Sequence, residues 1–474
     1  MPKGVVQHPL IKKLEHPMSR KAILDWSEHL PESARIWLDG RVVEEVECII
    51  GDFAGIARGK VMPARKFVDL ERSFLPISIF YQTITGEYSD YDSEESWTET
   101  DMVLKPDLDT AVASPWAEDV TIQIIHDMET LSGEPVTIAP RYVLKKILAA
   151  YKRKGWKPVI APELEFYLTK PNVDPDIPLE PPTGRSGRQG AGRQVYSIAA
   201  IDEYTAVIDT IYDYAEAQGL EIDTIIQEGG AGQIEINLNH GDPLLLADQV
   251  FTFKRTIREA ALKHNCYATF MAKPMEGEPG SAMHLHMSVV NSRTGENVFS
   301  NEDGSPSDLF HHFIGGQQHY LTSIISLLAP YVNSYRRLVP GVSAPINLEW
   351  GEDNRSTGLR VPTSGPAARR VENRVVGMDT NPYLSMAACL ACGYLGMIDK
   401  IEPREKLSGN AYALPHALPR ELFEGLRQMQ KFPKLRKLLG EEFCRMYENI
   451  KMREFEDYLR VISPWEREHL LLNV

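Results

Sequence analysis

The chain has 474 residues, more than one simple core accommodates, so two or more domains are expected. Its apolar share of 43% and charged share of 25% are those of a soluble globular protein, and 66 acidic against 51 basic side chains give a net charge of −15. That balance speaks against nucleic acid or an anionic membrane as partner. It is compatible with a cationic substrate, although acidity for solubility alone is the commoner cause.

The first residues, MPKGVVQHPLIKKLEHPM, hold no apolar core of signal-peptide length. No apolar run is long enough to span a bilayer; the nearest, 386–398, is broken by glycine and cysteine. The five cysteines are sparse and odd in number, which points to a reducing cytoplasm. Cys389 and Cys392 form a C-x-x-C, but they sit on an apolar helical pattern where core packing is favoured over a redox pair. Residues 1–34 read as a helical lead-in. Residues 42–50 alternate as a strand, and GDFAGIARGKVMP after them turns into a second one. The RGK in that segment is not a phosphate loop, because Ala54 and Val61 stand where the pattern needs glycine and a hydroxyl residue. Short strands, acidic loops and prolines over 69–127 describe a small α+β domain, which the linker SGEPVTIAP closes. The expected division is 1–138 for this domain with its lead-in and 139–474 for the second.

The second domain opens with an amphipathic helix over 141–154, with Pro140 at its start and Gly155 past its end. A strand containing ELEFYL follows, then a loop too rich in proline and glycine to form regular structure (171–194). Helices are expected near 202–218, 246–264 and 309–328, then a buried helix over 381–398 and a polar helical tail from Arg420. There is no internal repeat.

Three extended stretches, 157–169, 227–239 and 281–290, each carry acids, amides or histidines on one side. In a strand successive side chains alternate, so Glu163 and Glu165 share a face, as do Glu235, Asn237 and Asn239, and His284 and His286. Paired in one sheet, they would crowd carboxylates and imidazoles together at a cost that divalent cations would relieve. Each stretch alone is ambiguous, since a solvated strand edge explains two glutamates and a satisfied core histidine explains His284. A second informative region is dense in arginine: NSYRRLVPG (333–341), WGEDNRSTGLRVP (350–362) and ARRVENRVVGMDTNPYL (368–384). The planar guanidinium suits carboxylate and phosphate, so this region reads as one wall of an anion pocket. Cations that hold a polyphosphate and arginines that hold the attacked group are the division of labour phosphoryl transfer needs.

In order, ELEFYL, EGGAGQIEINL, GSAMHLHMS, NSYRRLVPG, NRSTGLRVP and RRVENR with its NPYL resemble the successive signatures of the glutamine synthetase family, from about residue 40 to the end. The resemblance implies an α+β fold: a small β-grasp-like domain, then a large catalytic domain with a curved antiparallel sheet. It implies one Mg²⁺ or Mn²⁺ site at Glu165, Glu228 and Glu235, and a second at Glu163, His284 and Glu372, with two or three ions in the active site as a whole. Arg337 and Arg374, with the backbone of Gly280, would hold glutamate. Arg355 would face the transferred phosphate, Arg360 the ATP phosphates, and His286 and Ser288 would border the nucleotide. ATP would phosphorylate the γ-carboxylate of glutamate, and an amine would displace phosphate. Hexameric rings, commonly stacked as dodecamers with active sites shared between neighbours, are the implied assembly, and the cytoplasm the implied compartment.

The departures bear on the amine. Ammonia-using members carry a glutamate beside Ala-Pro after LVPG, where this chain has Ser343. The aspartate-glycine-serine-serine segment is not recognisable, the nearest counterpart being ITGEYSD at 84–90, and Pro279 replaces the asparagine before the G-S-x-M-H motif. WGEDNR and NAYALP, which contains Tyr412, look most like the branch that ligates glutamate to polyamines such as putrescine. An acidic approach formed by Glu87, Asp90 or Asp92 would suit a diamine, though a solvated loop explains those residues as well. The expectation is an ATP-dependent glutamate–putrescine ligase of polyamine catabolism. The alternatives are a glutamine synthetase, a monoamine ligase, or a catalytically silent relative; six costly ligands facing one another count against the last.

Overall fold

The computed structural model describes residues 17–70, 72–89, 99–341 and 343–474. After helices Pro17–Ser27 and Glu32–Leu38, a first sheet is built from β1 (Glu45–Gly51), β2 (Ala57–Pro63), β3 (Ser73–Pro76), β4 (Asp101–Pro106), β5 (Val112–Ala113) and β6 (Thr121–Glu129). Its order is β2-β1-β6-β4-β3, with β5 also pairing β6. β1 and β6 run parallel at its centre and the other pairs are antiparallel. The RGK segment is the β1–β2 hairpin, as the sequence indicates. Its turn is closed by Asp52, which accepts from the Ile56 amide and pairs with Arg58, both at 2.8 Å.

The second sheet contains β7 (Trp156–Thr169), β8 (Ile222–Gln227), β9 (Gln233–Leu238), β10 (Tyr267–Thr269), β11 (Leu285–Asn291), β12 (Trp350–Glu352), β13 (Leu359–Val361) and β14 (Val371–Asn373). The order is β12-β13-β14-β11-β7-β9-β8, with β10 also on β7. All pairs are antiparallel except β12 with β13. β7 is the spine: its 14 residues, rich in β-branched and aromatic side chains, pair with β11, β9 and β10 in turn.

Helix Pro140–Arg153 starts on proline and stops before Gly155, whose φ of 73° needs a residue without Cβ. Its Arg141 is buried and joins the two sheets. The guanidinium binds Asp248 of helix Pro243–Lys263 through two bonds (2.9 and 2.8 Å) and reaches Asp107 (2.7 Å) and Asp127 (2.8 Å) of the first sheet's strands and their connections. Helices Asp308–Leu328 and Pro382–Asp399 are buried almost all round and pack on each other. A Cβ on Gly396 would lie 2.6 Å from Gly316 Cα, so glycines make this close crossing possible. Cys389 and Cys392 lie in the same helix, fully buried, and burial pushes both thiols up, in keeping with core packing.

The tail differs from expectation. Helices Leu422–Met429 and Glu441–Tyr458 are charged on average, yet Leu422, Leu426, Phe443, Met446, Tyr447 and Ile450 recur at helical spacing and are buried. One-sided burial, invisible to average polarity, makes this tail part of the core. Among the described residues no helix is long and apolar enough to cross a membrane.

Candidate active site

Strand register assembles the acids. The β7–β9 ladder sets Glu163 opposite Asn237 and Glu165 opposite Glu235, and the β11–β14 ladder sets His286 opposite Glu372. Alternation turns these side chains to one face. His284 Nδ1 lies 2.8 Å from Glu163 Oε2 and 3.9 Å from oxygens of both Glu165 and Glu372. His286 Nε2 is 2.8 Å from the other Glu163 oxygen, and Arg370 Nε donates to its Nδ1 (3.2 Å), fixing the imidazole from behind. Two groups bring ligand atoms within 4.8 Å of one another: Glu163, His284 and Glu372, and Glu165, Glu235 and His284.

The first group coincides with one expected metal set; the second keeps Glu165 and Glu235 but holds His284 where Glu228 was expected. The reason is local. Stretch 227–239 is not one extended segment but the end of β8, a turn over 228–232, and β9. Glu228 therefore approaches from the turn, lining the same cavity without sitting on the strand face. The turn is tight: a Cβ on Gly230 would fall 2.0 Å from the Tyr167 hydroxyl.

The charges in this cluster are out of balance. Burial, then Glu235 and Glu228, raise the Glu165 carboxyl well above its ordinary range. Burial, then Glu163 and Glu228, push Glu235 up to about 8, and burial raises Glu228 as well. Against the effect of burial, hydrogen bonds from His284 and His286 hold Glu163 below the usual carboxylate range, and Arg374 with the two imidazoles does the same for Glu372. Burial and then Arg374 depress His284. The cluster thus has more negative charge than its own imidazoles and arginines neutralise, and it takes up protons instead. Carboxylate oxygens with a single shared imidazole fit hard divalent cations of the Mg²⁺ or Mn²⁺ kind, which would displace those protons.

The cavity that these acids floor has a volume of about 630 Å³ and is also lined by Arg337, Arg355, Arg360, Arg374, Gly280, Ser343 and Tyr412. Arg360 pairs with Glu372 and Asp353, both at 2.7 Å, and Arg374 pairs with the other Glu372 oxygen. Arg374 Nε is buried without a partner, a donor left over for an anion. Arg337 is different: its two terminal nitrogens donate to the carbonyls of Val375 (2.9 Å), Arg374 (2.8 Å) and Val376 (3.2 Å), bracing the segment that carries Arg374. Gly280 lies against it, since a Cβ there would fall 2.5 Å from Arg337 Cγ. Arg355 is exposed at the rim, where its charge acts on Glu228. The arginine-dense region is only partly a wall. Arg336 donates to the Tyr458 hydroxyl (2.8 Å), and Arg369 to the carbonyls of Gly304 (2.9 Å) and Ser305 (3.0 Å).

A second cavity of about 380 Å³ is lined by His286, Ser288, Arg370 and Asn239 and shares Glu163 and Asn237 with the first. The residues expected to border a nucleotide therefore sit on the far side of Glu163. Supports that the sequence did not single out are Gln233, which donates to Gly280 O (2.9 Å), and Asp353 and Arg370. The RRVENR motif was visible, but which of its arginines faced a histidine was not. Glu87 pairs with Arg453 at 3.1 Å and is not part of either cavity's lining, while Asp90 and Asp92 lie outside the described residues.

Comparison with known proteins agrees with this geometry. Residues 137–470 match the family described as glutamine synthetase, catalytic domain. The chain is 35% identical over 435 residues to gamma-glutamylputrescine synthetase PuuA of Escherichia coli, covering 90% of this chain and 92% of that one. It is 32% identical over 438 residues to a glutamine synthetase of Pyrococcus woesei, covering 90% and 93%. To glutamate–isopropylamine ligase of a Pseudomonas species it is 31% identical over 431 residues, covering 88% and 92%. The solved structure of apo GmaS without ligand superposes with a TM-score of 0.77 at 26% identity, over 92% of this chain and 99% of that one. The chain belongs to the glutamine synthetase family of ATP-dependent carbon–nitrogen ligases.

Proposed function

We propose that the protein joins the γ-carboxylate of glutamate to an amine larger than ammonia, with putrescine or a related polyamine as the leading acceptor. The observation that carries the reading is Ser343: it lines the cavity shared by the acid cluster and four arginines, at the place where ammonia-using relatives are expected to hold a glutamate. A neutral, small side chain there withdraws a charge that would bind ammonium and leaves room for a substituted nitrogen. Similarity to a gamma-glutamylputrescine synthetase and to a glutamate–isopropylamine ligase supports the same class.

In this reading Glu165, Glu228 and Glu235 would hold one divalent cation, and Glu163, His284 and Glu372 another, with His284 within reach of both groups. Such cations would neutralise phosphate charge and stabilise charge developing in transfer. Arg374, braced by Arg337, which lies against Gly280, binds the carboxylates of glutamate. Arg360 and Arg355 meet the phosphates of ATP, whose nucleoside lies toward His286 and Ser288. The γ-carboxylate oxygen attacks the terminal phosphorus, the bond to ADP breaks, and an acyl phosphate forms. The uncharged amine then attacks the acyl carbon; the carbon–oxygen bond to phosphate breaks, phosphate leaves with that electron pair, and the amine proton departs. Preset cations around three anionic groups are the main source of acceleration.

The boundary near residue 138, a cytoplasmic location, and hexameric rings stacked as dodecamers, with the site completed by a neighbour, belong to the same proposal. The test supplies Mg²⁺, ATP and glutamate with ammonium, methylamine, ethanolamine, putrescine or spermidine and follows phosphate release. Putrescine or spermidine is expected to give the highest kcat/KM; ammonium as best acceptor overturns the reading.

A further inference from the structure

The large cavity has a wall to which none of the steps above gives a task. Residues 193–197 lie along the turn that carries Glu228: the Arg193 amide donates to Gly229 O (2.7 Å) and the Tyr196 amide to Gln227 O (2.9 Å). Arg193 (φ 66°) and Tyr196 (φ 62°) both adopt the left-handed conformation that disfavours residues with a Cβ, and so does Ser343 (φ 68°). Only eight non-glycine residues among those described have positive φ. Two of them, Tyr196 and Ser343, line this cavity, and a third anchors the same loop. Backbone strain of this kind persists where the surroundings impose it, and it gathers at binding sites.

The strained loop presents an apolar surface. Val195 Cγ2 and Pro279 Cγ flank Gly229, lying 3.8 and 3.1 Å from where its Cβ would be. Val195 is 46% exposed and Tyr196 62% exposed, although both line a cavity otherwise dominated by charge. Ile226 and Ala344 extend the same neutral lining. None of these side chains carries a charge that would hold a phosphate or a carboxylate.

We infer that Val195 and Tyr196 form the wall against which the carbon chain of the acceptor amine lies, and that they set which primary amine is used. The inference rests on the amine-ligase reading and adds its specificity determinant: the acceptor is an amine with an aliphatic chain, measured by this wall, with Pro279 closing the side next to Gly229 and Ser343 leaving the position of the acid neutral.

The test is the dependence of kcat/KM on chain length over methylamine, ethylamine, propylamine and butylamine at saturating ATP and glutamate. The wild-type protein should gain about fourfold per methylene, the free energy of removing one methylene from water. Tyr196→Ala and, separately, Val195→Ser should flatten that slope to below about twofold, whereas Tyr196→Phe, which keeps the ring, should retain it. Because the slope is taken within each enzyme, a general loss of rate or of folded protein cancels. An unchanged slope in both truncating variants overturns the wall while leaving the ligase reading intact. A wild-type protein that prefers ammonium overturns both.

Discussion

Two parts of the active cavity's wall are built in contrasting ways. The acid cluster stands on the hydrogen-bonded strands β7, β9, β11 and β14, and register alone brings Glu165 opposite Glu235 and His286 opposite Glu372. Another part of the wall stands on residues outside those strands, 193–197 and 343–344, and two of its lining residues, Tyr196 and Ser343, hold left-handed backbones. Strands position charge rigidly where chemistry tolerates little displacement, while loops can change their side chains and conformation without disturbing the ladders. The difference teaches that the charged groups stand on paired strands while the neutral part of the lining stands on segments outside them, so that the proposed amine wall can vary without disturbing the ladders.

The contrast is broken most severely from the strand side. Glu163→Ala and Arg355→Ala should each lower kcat by about 10²–10³-fold, the usual effect of removing one preset electrostatic group. Circular dichroism should remain close to wild type, and near-normal rates would show that the roles are misassigned. Arg141→Ala tests the frame on which the strands rest. It takes both Arg141 bonds from buried Asp248 and leaves it the Tyr383 hydroxyl, and removal of one partner of a buried pair costs about 3–5 kcal/mol, read as a lower denaturant midpoint. On the loop side, Ser343→Glu should shift the ratio of kcat/KM for ammonium over putrescine upward by about tenfold, equivalent to about 1.4 kcal/mol of differential binding. No change in that ratio would detach Ser343 from amine choice.

The smallest effect is one of pH. Burial beside Glu163 and Glu228 pushes Glu235 up to about 8 in the folded protein, so its contribution to stability is complete only below the ordinary carboxylate range and is lost progressively as pH rises from there through 8. A divalent cation needs the ionised form. Mn²⁺ affinity should therefore rise at least about threefold between pH 7.5 and 8.5, Glu165 adding to the effect of Glu235, with proton release detectable by titration calorimetry in buffers of different ionisation enthalpy. An affinity independent of pH over this range would place Glu235 outside the cation site.

Much of the acid cluster was legible because strand periodicity is a local property. Glu163 with Glu165, and His284 with His286, share a face whatever the rest of the chain does, and their ladders put that face where alternation predicted. Glu228 was less legible: glycines 229, 230 and 232 make a turn out of what reads as a strand, and only the Tyr167 hydroxyl pressed against Gly230 shows why. The arginine-dense region announced an anion site by composition but not which arginines reach it. Arg336 and Arg369 look like Arg337 and Arg374 in sequence and bond elsewhere. The tail reads as polar because its charge dominates any average, while its core-facing stripe emerges only once helix Leu422–Met429 packs on helix Asp308–Leu328 and helix Glu441–Tyr458 packs on Leu422–Met429.

By itself the sequence determined the chemistry of this protein: the family, the phosphoryl-transfer logic, and the acids and imidazoles that face one another, since each follows from residue type and a fixed two-residue repeat. Only the tertiary structure decided how those groups share their charge, that Arg337 braces while Arg374 keeps a free donor, and that Val195 and Tyr196 meet the cavity. These depend on distances between segments that lie 37 residues apart for Arg337 with Arg374 and 121 apart for Glu163 with His284, and on backbone conformations that neighbouring packing imposes and no local pattern encodes.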